Sequence, residues 1–379
     1  MTWPPVGGRA CRCSSGRSPR RSSRRRSDDP GARDSGVRKF TALGAAAAIL
    51  VAAALVAAFV GAADLNPLDT AAALLDRALP FLHLHTGLSP LDRAVLFQIR
   101  LPRVVLGALV GGVLALAGAG YQGVFRNPLV DSGTLGASAG AGLGATLAIV
   151  YLGGAGPQAV PVAAFAGSLT GVAVAYLTGT AAGRHTVLGG GVATLLLAGI
   201  AVGSFLTAVQ TFLLQRSASD IQAVYSWLLG SLSAASWQQV TTILPYAAVS
   251  SAVILLHGRH LDVLSVGDEE ARTLGLRPGM VRLIVVAASA LAAASAVAVS
   301  GLIGFVGIII PHVARRLAGP SYTSVLPLSL LTGAAFLVLA DTLARTVLSP
   351  AELPIGVVTA LVGAPAFVWV LRGTSNVST

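Results

Sequence analysis

Lysine is nearly missing from this chain: among 379 residues there is one, Lys39. A nucleotide-binding P-loop needs Gly-Lys-Ser/Thr to hold phosphates, and Lys39 stands between Arg38 and Phe40, so the chain is not itself a P-loop ATPase. Charge of either sign is scarce, at 11% of residues, where a typical soluble chain has about a quarter. Cysteine is limited to Cys11 and Cys13. That excludes a disulfide scaffold, and with no histidine or second cysteine pair nearby it does not make a metal site. What fills the chain instead is apolar: 54% hydrophobic residues and 44 glycines, with a mean hydropathy of +0.76. A soluble enzyme is disfavoured at once.

The net charge of +11 is two signals. Residues 1–39 hold 11 basic and 3 acidic residues, leaving +8, and the remaining body holds 15 and 12, leaving +3. The body is therefore almost neutral, and nucleic acid is excluded as a partner. Residues 1–38, rich in Arg, Ser and Pro, read as a disordered tail.

Stretches without Asp, Glu, Lys or Arg map the body, because crossing about 30 Å of hydrocarbon takes roughly 20 helical residues. They cover 41–63, 104–125, 132–183, 186–215, 221–258, 283–314, 317–340 and 353–371. The first has 23 residues, more than the apolar core of a cleaved signal. Gly153-Gly154-Ala155-Gly156-Pro157 divides 132–183 into two spans, and 221–258 holds a short surface segment near Tyr225 followed by one span from about Gln239 to Leu256. Arg and Lys gather on the cytoplasmic side of short loops. With the basic tail inside, Arg315 and Arg316 also fall inside only if Ser300-Gly301 splits 283–314 into two. The expectation is an all-α, polytopic plasma-membrane protein with ten transmembrane helices over 39–373, both termini cytoplasmic and a short tail at 374–379. Small-residue pairs such as Gly136 with Gly140 suit close helix packing within the bundle.

This topology leaves several arginines outside, against the usual bias. Arg100 and Arg103 flank Leu101-Pro102 at the entrance of span 2, and Arg345 ends span 9. Guanidinium groups offered outward suit bidentate pairing with carboxylates of an external protein. Arg77, Arg93 and Arg216 read as anchors to lipid headgroups. Asp341 lies four residues before Arg345, on the same helical face, and reads as orienting it. Glu352 precedes Leu353-Pro354, where a carboxylate complements a helix N-terminus. On the inner side, 261–279 interleaves Asp268, Glu269 and Glu270 with leucines, as short amphipathic helices that dock a partner would.

Together these segments resemble the permease subunits of ABC importers for ferric siderophores, haem and vitamin B12, the FecCD-like family. The likeness rests on Arg100-Leu101-Pro102-Arg103, on Gly118 to Gly140 with Tyr121-Gln122-Gly123-Val124-Phe125-Arg126-Asn127-Pro128-Leu129, on Leu195 to Gly199, and on Trp227 to Ser231. It continues through Gly267 to Gly275, Gly301 to Arg315 with Pro311-His312, Ala340-Asp341 and Glu352-Leu353-Pro354-Ile355-Gly356. It covers about residues 40–372.

The resemblance implies a ten-span permease of the vitamin B12 and siderophore importer type, paired with a second copy or paralogue. Two cytoplasmic ATP-binding subunits and an extracytoplasmic substrate-binding protein, lipoprotein or periplasmic, would complete the complex. It implies that Arg100, Arg103 and Arg345 receive the binding protein. The ATPase coupling loop would centre on Leu264, Gly267, Asp268, Glu269, Glu270, Ala271, Leu274 and Gly275. The pathway would follow span 5, with its gate around Gly191, Val192, Ala193 and Thr194. An iron-siderophore complex is the substrate the resemblance favours, with haem or cobalamin as alternatives, and neither catalytic residue nor cofactor is expected. A secondary transporter is the reading from a different class. It would carry midplane coupling carboxylates and internal repeats, whereas here the candidate is Asp341 alone.

Overall fold

In lipid, a backbone satisfies its own polar groups most simply as a helix, and the described residues of this chain contain helices and turns but no strand. The computed structural model describes residues 30–61, 66–79, 81, 87–153, 155–183 and 191–375. The chain divides into two units, Met1–Val37 and Arg38–Thr379. Of the first, residues 30–37 are described and are helical, so helix formation begins inside the segment expected to be disordered.

The helices are α1 (Pro30–Phe59), α2 (Pro67–Ala78), α3 (Pro90–Ala94), α4 (Leu101–Phe125), α5 (Ala137–Tyr151), α6 (Ala159–Gly183), α7 (Gly191–Arg216) and α8 (Ile221–Leu228). There follow α9 (Trp237–Leu256), α10 (Gly258–Val266), α11 (Asp268–Thr273), α12 (Pro278–Ser300), α13 (Val306–Ala318), α14 (Tyr322–Ala344) and α15 (Ile355–Ser375). One turn of π-helix, Val95–Arg100, joins α3 to α4. Breaks fall where small and rigid residues gather: between α5, which ends at Tyr151, and α6, which starts at Ala159, and after Ser300, where Gly301 takes a φ of 69° that side chains avoid.

Among the described residues, seven helices are long and apolar enough to cross a membrane: those within Lys39–Phe59, Pro90–Phe125, Ala159–Ala182, Ala193–Arg216, Trp237–Leu256, Pro278–Ser300 and Tyr322–Ala344. Ten spans were expected, and seven helices meet both criteria. The stretch before Pro157 yields only the 15-residue α5, the stretch after Ser300 only the 13-residue α13, and α15 contributes a shorter apolar stretch over Ile355–Val368. Absence of charge marks apolar surroundings, but it does not measure helix length.

Helix α4 is the axis of the bundle, buried along most of its length and packed by α14, α12, α13 and α9. Its glycines make this possible. A β-carbon on Gly118 would run into the Gly307 backbone of α13, and one on Gly111 into Gly333 of α14. The same device joins α5 to α6, where Gly140 meets Gly167. Where lipid is as apolar as the helix surface, such close approach provides dispersion contacts in place of a hydrophobic driving force.

Candidate functional site

Two polar constellations sit at opposite ends of α4, whose 25 residues span about 37 Å. At its N-terminal end lie the three arginines singled out above. Arg100, Arg103 and Arg345 are 3%, 8% and 5% exposed, so the outward presentation expected of them is not how they sit. The cause is the end of α1. The last carbonyls of a helix have no partner within it; Arg100 donates from Nη1 to the carbonyls of Ala58 at 3.0 Å and Phe59 at 3.1 Å, and Arg345 donates from Nη2 to that of Ala57. A cation at a helix C-terminus also meets the negative end of its dipole.

Arg103 reaches the other way. Its guanidinium fork binds Asp341 through Nε to Oδ2 at 2.9 Å and Nη2 to Oδ1 at 2.9 Å. It also binds Glu352 through Nη1 to Oε1 at 2.7 Å and Nη2 to Oε2 at 3.0 Å. Asp341 was expected to orient Arg345 one turn along α14. That pair is long, 3.9 Å from Nε to Oδ2, and the bidentate bond to Arg103 on α4 takes precedence. Glu352, expected to serve its own helix terminus, bridges to α4 instead. The cluster holds three cations and two carboxylates and ties α1, α4, α14 and the approach to α15. Of the arginines read as headgroup anchors, Arg77, Arg93 and Arg216 are exposed, and Arg216 lies 5.7 Å over the Phe212 ring.

At the other end of α4, helices α10 and α11 form the amphipathic pair expected over 261–279. Leu261, Leu264 and Ala271 are buried against the bundle, whereas Glu269, Glu270 and Leu274 are exposed. Gly267 makes the turn between them at φ 152°, and Gly275 ends α11 at φ 83°. Asp262 caps α14: its Oδ1 accepts from the Tyr322 N–H at 2.6 Å and its Oδ2 from the Ser321 hydroxyl at 2.8 Å. Asp268 accepts from Arg282 of α12 at 2.6 Å and lies 3.4 Å from Arg126, the residue that closes α4. Two carboxylates thus clamp the α10–α11 segment to three long helices. Gln122 is a further junction: it accepts from Arg315 at 2.6 Å and donates to the carbonyls of Gly307 at 2.9 Å and Val130 at 3.2 Å. Asp131 accepts from the Ser132 N–H at 2.7 Å and faces the backbone N–H groups of Phe305 and Gly307, at the start of α13. Spacing along the chain signals none of these partners.

Between these ends, an open concavity of about 820 Å³ runs beside α7, lined by Thr134, Ser138, Ser204, Thr207, Gln210 and Thr211 among glycines and apolar side chains, with no charged residue among the described residues that line it. Leu197, Ile200, Phe205 and Phe212 of α7 are exposed. Gly191, Val192, Ala193 and Thr194 open α7, with Ala193 exposed and Thr194 half-buried; residues 189 and 190, the start of the expected gate loop, lie outside the described residues.

Residues 49–373 match the FecCD transport family, most of the chain. The chain belongs to the FecCD transport family. This FecCD protein is 43% identical over 293 residues to a cobalamin import system permease protein of Halobacterium salinarum, covering 76% of each chain. It is 39% identical over 284 residues to a hemin transport system permease protein of Yersinia pestis, covering 72% of this chain and 82% of the relative. An Fe(3+)-citrate import system permease protein of Bacillus subtilis is 35% identical over 317 residues, 84% of this chain and 90% of the relative. In fold, the FecCD chain matches a solved inward-facing structure assigned to the metal-chelate type of ABC transporter with a TM-score of 0.74 at 29% identity, covering 87% of this chain and 98% of that one. It is a multi-pass, all-α permease subunit of an ABC importer, not an enzyme. FecCD membership implies an importer complex with an ATPase, a substrate-binding protein and a paired permease.

Proposed function

We propose that this permease passes an intact iron-siderophore chelate from an extracytoplasmic binding protein across the plasma membrane, driven by two ATPase subunits held at α10 and α11. The observation that carries the reading is the open concavity beside α7. About 820 Å³ lined by hydroxyls, one amide and glycines, without a charge, accommodates a bulky chelate whose metal is already coordinated. A free cation would call for carboxylates or imidazoles.

In this reading α5, α13 and α15 also cross, making ten spans with both termini cytoplasmic. The contact of α13 with the lower half of α4 at Gly118 supports that placement. The exposed apolar face of α7 meets a second permease copy or a paralogue, which closes the concavity into a pathway, and Gly191 to Thr194 stand at its cytoplasmic mouth. ATP-driven closure of the ATPases pushes on Glu269, Glu270 and Leu274, and the clamps at Asp262 and Asp268 pass the movement to α14, α12 and α4. The binding protein docks at the opposite end, at Arg100, Arg103 and Arg345. The 43% identical cobalamin relative favours a second reading, a cobalamin permease.

The test is uptake by the whole complex in proteoliposomes offered ferrichrome, hemin and cyanocobalamin in turn. Preferential accumulation of ferrichrome is expected. Preference for cyanocobalamin would establish the second reading, and accumulation of none of the three would overturn the substrate class.

A further inference from the structure

The two carboxylates held by Arg103 differ in a way that bears on docking. Asp341 sits within α14 with its side chain 5% exposed and is also within reach of Arg345. Glu352 sits in the non-helical approach to α15, its side chain is 37% exposed, and its polar contacts in the structure go to Arg103. Arg103 itself is only 9% exposed at the side chain. Its outer pair of N–H groups is engaged by Glu352 in the two-oxygen geometry that any incoming carboxylate would adopt. With Glu352 in place, the outer N–H pair of Arg103 is closed to a partner; with Glu352 swung away, it is a preformed bidentate site in a cluster of net positive charge.

We infer that Glu352 is an internal stand-in for a carboxylate of the docking protein, and that docking exchanges one for the other on Arg103. The inference rests on the docking reading above and deepens it by naming the receptor atom group and its competitor. The exchange is nearly balanced by construction. Glu352 is already one-third in water and regains hydration on leaving, and the entering Asp or Glu takes over the same two hydrogen bonds, so Arg103 is never left buried and unpaired. Balanced exchange gives selectivity without great affinity, because a partner lacking a correctly placed acid must break the internal pair with nothing to replace it.

Exchange also reports. Glu352 is three residues before α15, and its bond to Arg103 tethers the approach to α15 onto α4. Once it is released, the first turn of α15 keeps its backbone bonds from Ile355 to Gly230 and from Gly356 to Leu229 but loses its charged tie to the bundle axis. A docked partner thereby loosens α15 relative to α4.

The test uses the complete permease–ATPase complex in phosphatidylcholine nanodiscs, with its cognate binding protein as the probe. Dissociation constants are measured for wild type, Arg103→Gln and Glu352→Gln. Removing the competitor's charge is expected to tighten binding about fivefold, the factor one unit charge contributes at about 4 Å in a water-like dielectric, whereas Arg103→Gln weakens it at least as much. If Arg103→Gln binds like wild type, the docking reading itself fails. If Arg103→Gln weakens binding but Glu352→Gln is unchanged or weaker too, docking stands and the exchange is overturned. A measurement on wild type removes dependence on any variant: amide hydrogen exchange over 353–358 is expected to speed up when the binding protein is added. Slower or unchanged exchange there contradicts the release of Glu352.

Discussion

Replacing Asp341 by alanine tests whether the arginine cluster holds the bundle together. Asp341 is 5% exposed at its side chain, as is Arg345, and Arg103 is 9% exposed. In the variant, Arg103 retains Glu352 but loses its bidentate bond to Asp341, and Arg345 keeps the Ala57 carbonyl while its Nε loses the carboxylate 3.9 Å away. Breaking a buried pair from one side costs about 3–5 kcal/mol in soluble proteins, because the charge left behind stays desolvated. In a membrane the unfolded helices find substitute partners, which argues for the low end. About 3 kcal/mol corresponds to a folded population lowered by roughly a hundredfold relative to the unfolded. The asparagine variant, which keeps one acceptor oxygen, should lose less. Reversible unfolding of the purified protein by SDS titration, followed by circular dichroism, gives both numbers. If Asp341→Ala unfolds within about 0.5 kcal/mol of wild type, the cluster is not structural and the burial argument is wrong.

At the other end of α4, Asp268→Asn removes the charge that joins α11 to Arg282 and Arg126; the ATPase should still co-purify, while substrate moved per ATP hydrolysed falls several-fold in proteoliposomes, and an unchanged ratio would remove Asp268 from the transmission path. Changing the exposed pair Glu269 and Glu270 to lysine should release the ATPase, read as its loss from affinity-purified complex; normal co-purification would place the contact elsewhere. Gly118→Val puts a branched side chain where α4 touches the Gly307 backbone, and should destabilise by about 1–3 kcal/mol or more in the same SDS titration.

Much of the architecture is legible in the sequence because its signals are local. Gly153 to Pro157 and Ser300-Gly301 break helices wherever they occur, and the alternation of leucines with acids over 261–279 marks α10 and α11 without reference to the rest of the chain. Span number was less legible: the charge-free stretch 317–340 supplies most of the 23-residue α14, whereas the part of 283–314 after Ser300 supplies most of the 13-residue α13. The polar site was legible in membership but not in pairing. Arg103, Asp341, Arg345 and Glu352 all stand out as charges in apolar surroundings, yet helical spacing joins Asp341 to Arg345, four residues away. The structure joins it to Arg103, 238 residues away, because a planar fork facing a carboxylate across two helices forms two short bonds where neighbours on one helix form a long one. The burial of Arg100 and Arg345 followed from the C-terminal carbonyls of α1, a need that arises only when α1 packs at that corner.

The most direct test of the importer reading is the energy source for uptake. The complete complex, reconstituted with binding protein outside and nucleotide inside, should accumulate chelate with ATP and not with a non-hydrolysable analogue, whatever the ion gradients. Accumulation driven by a proton or sodium gradient in the absence of ATP would contradict it.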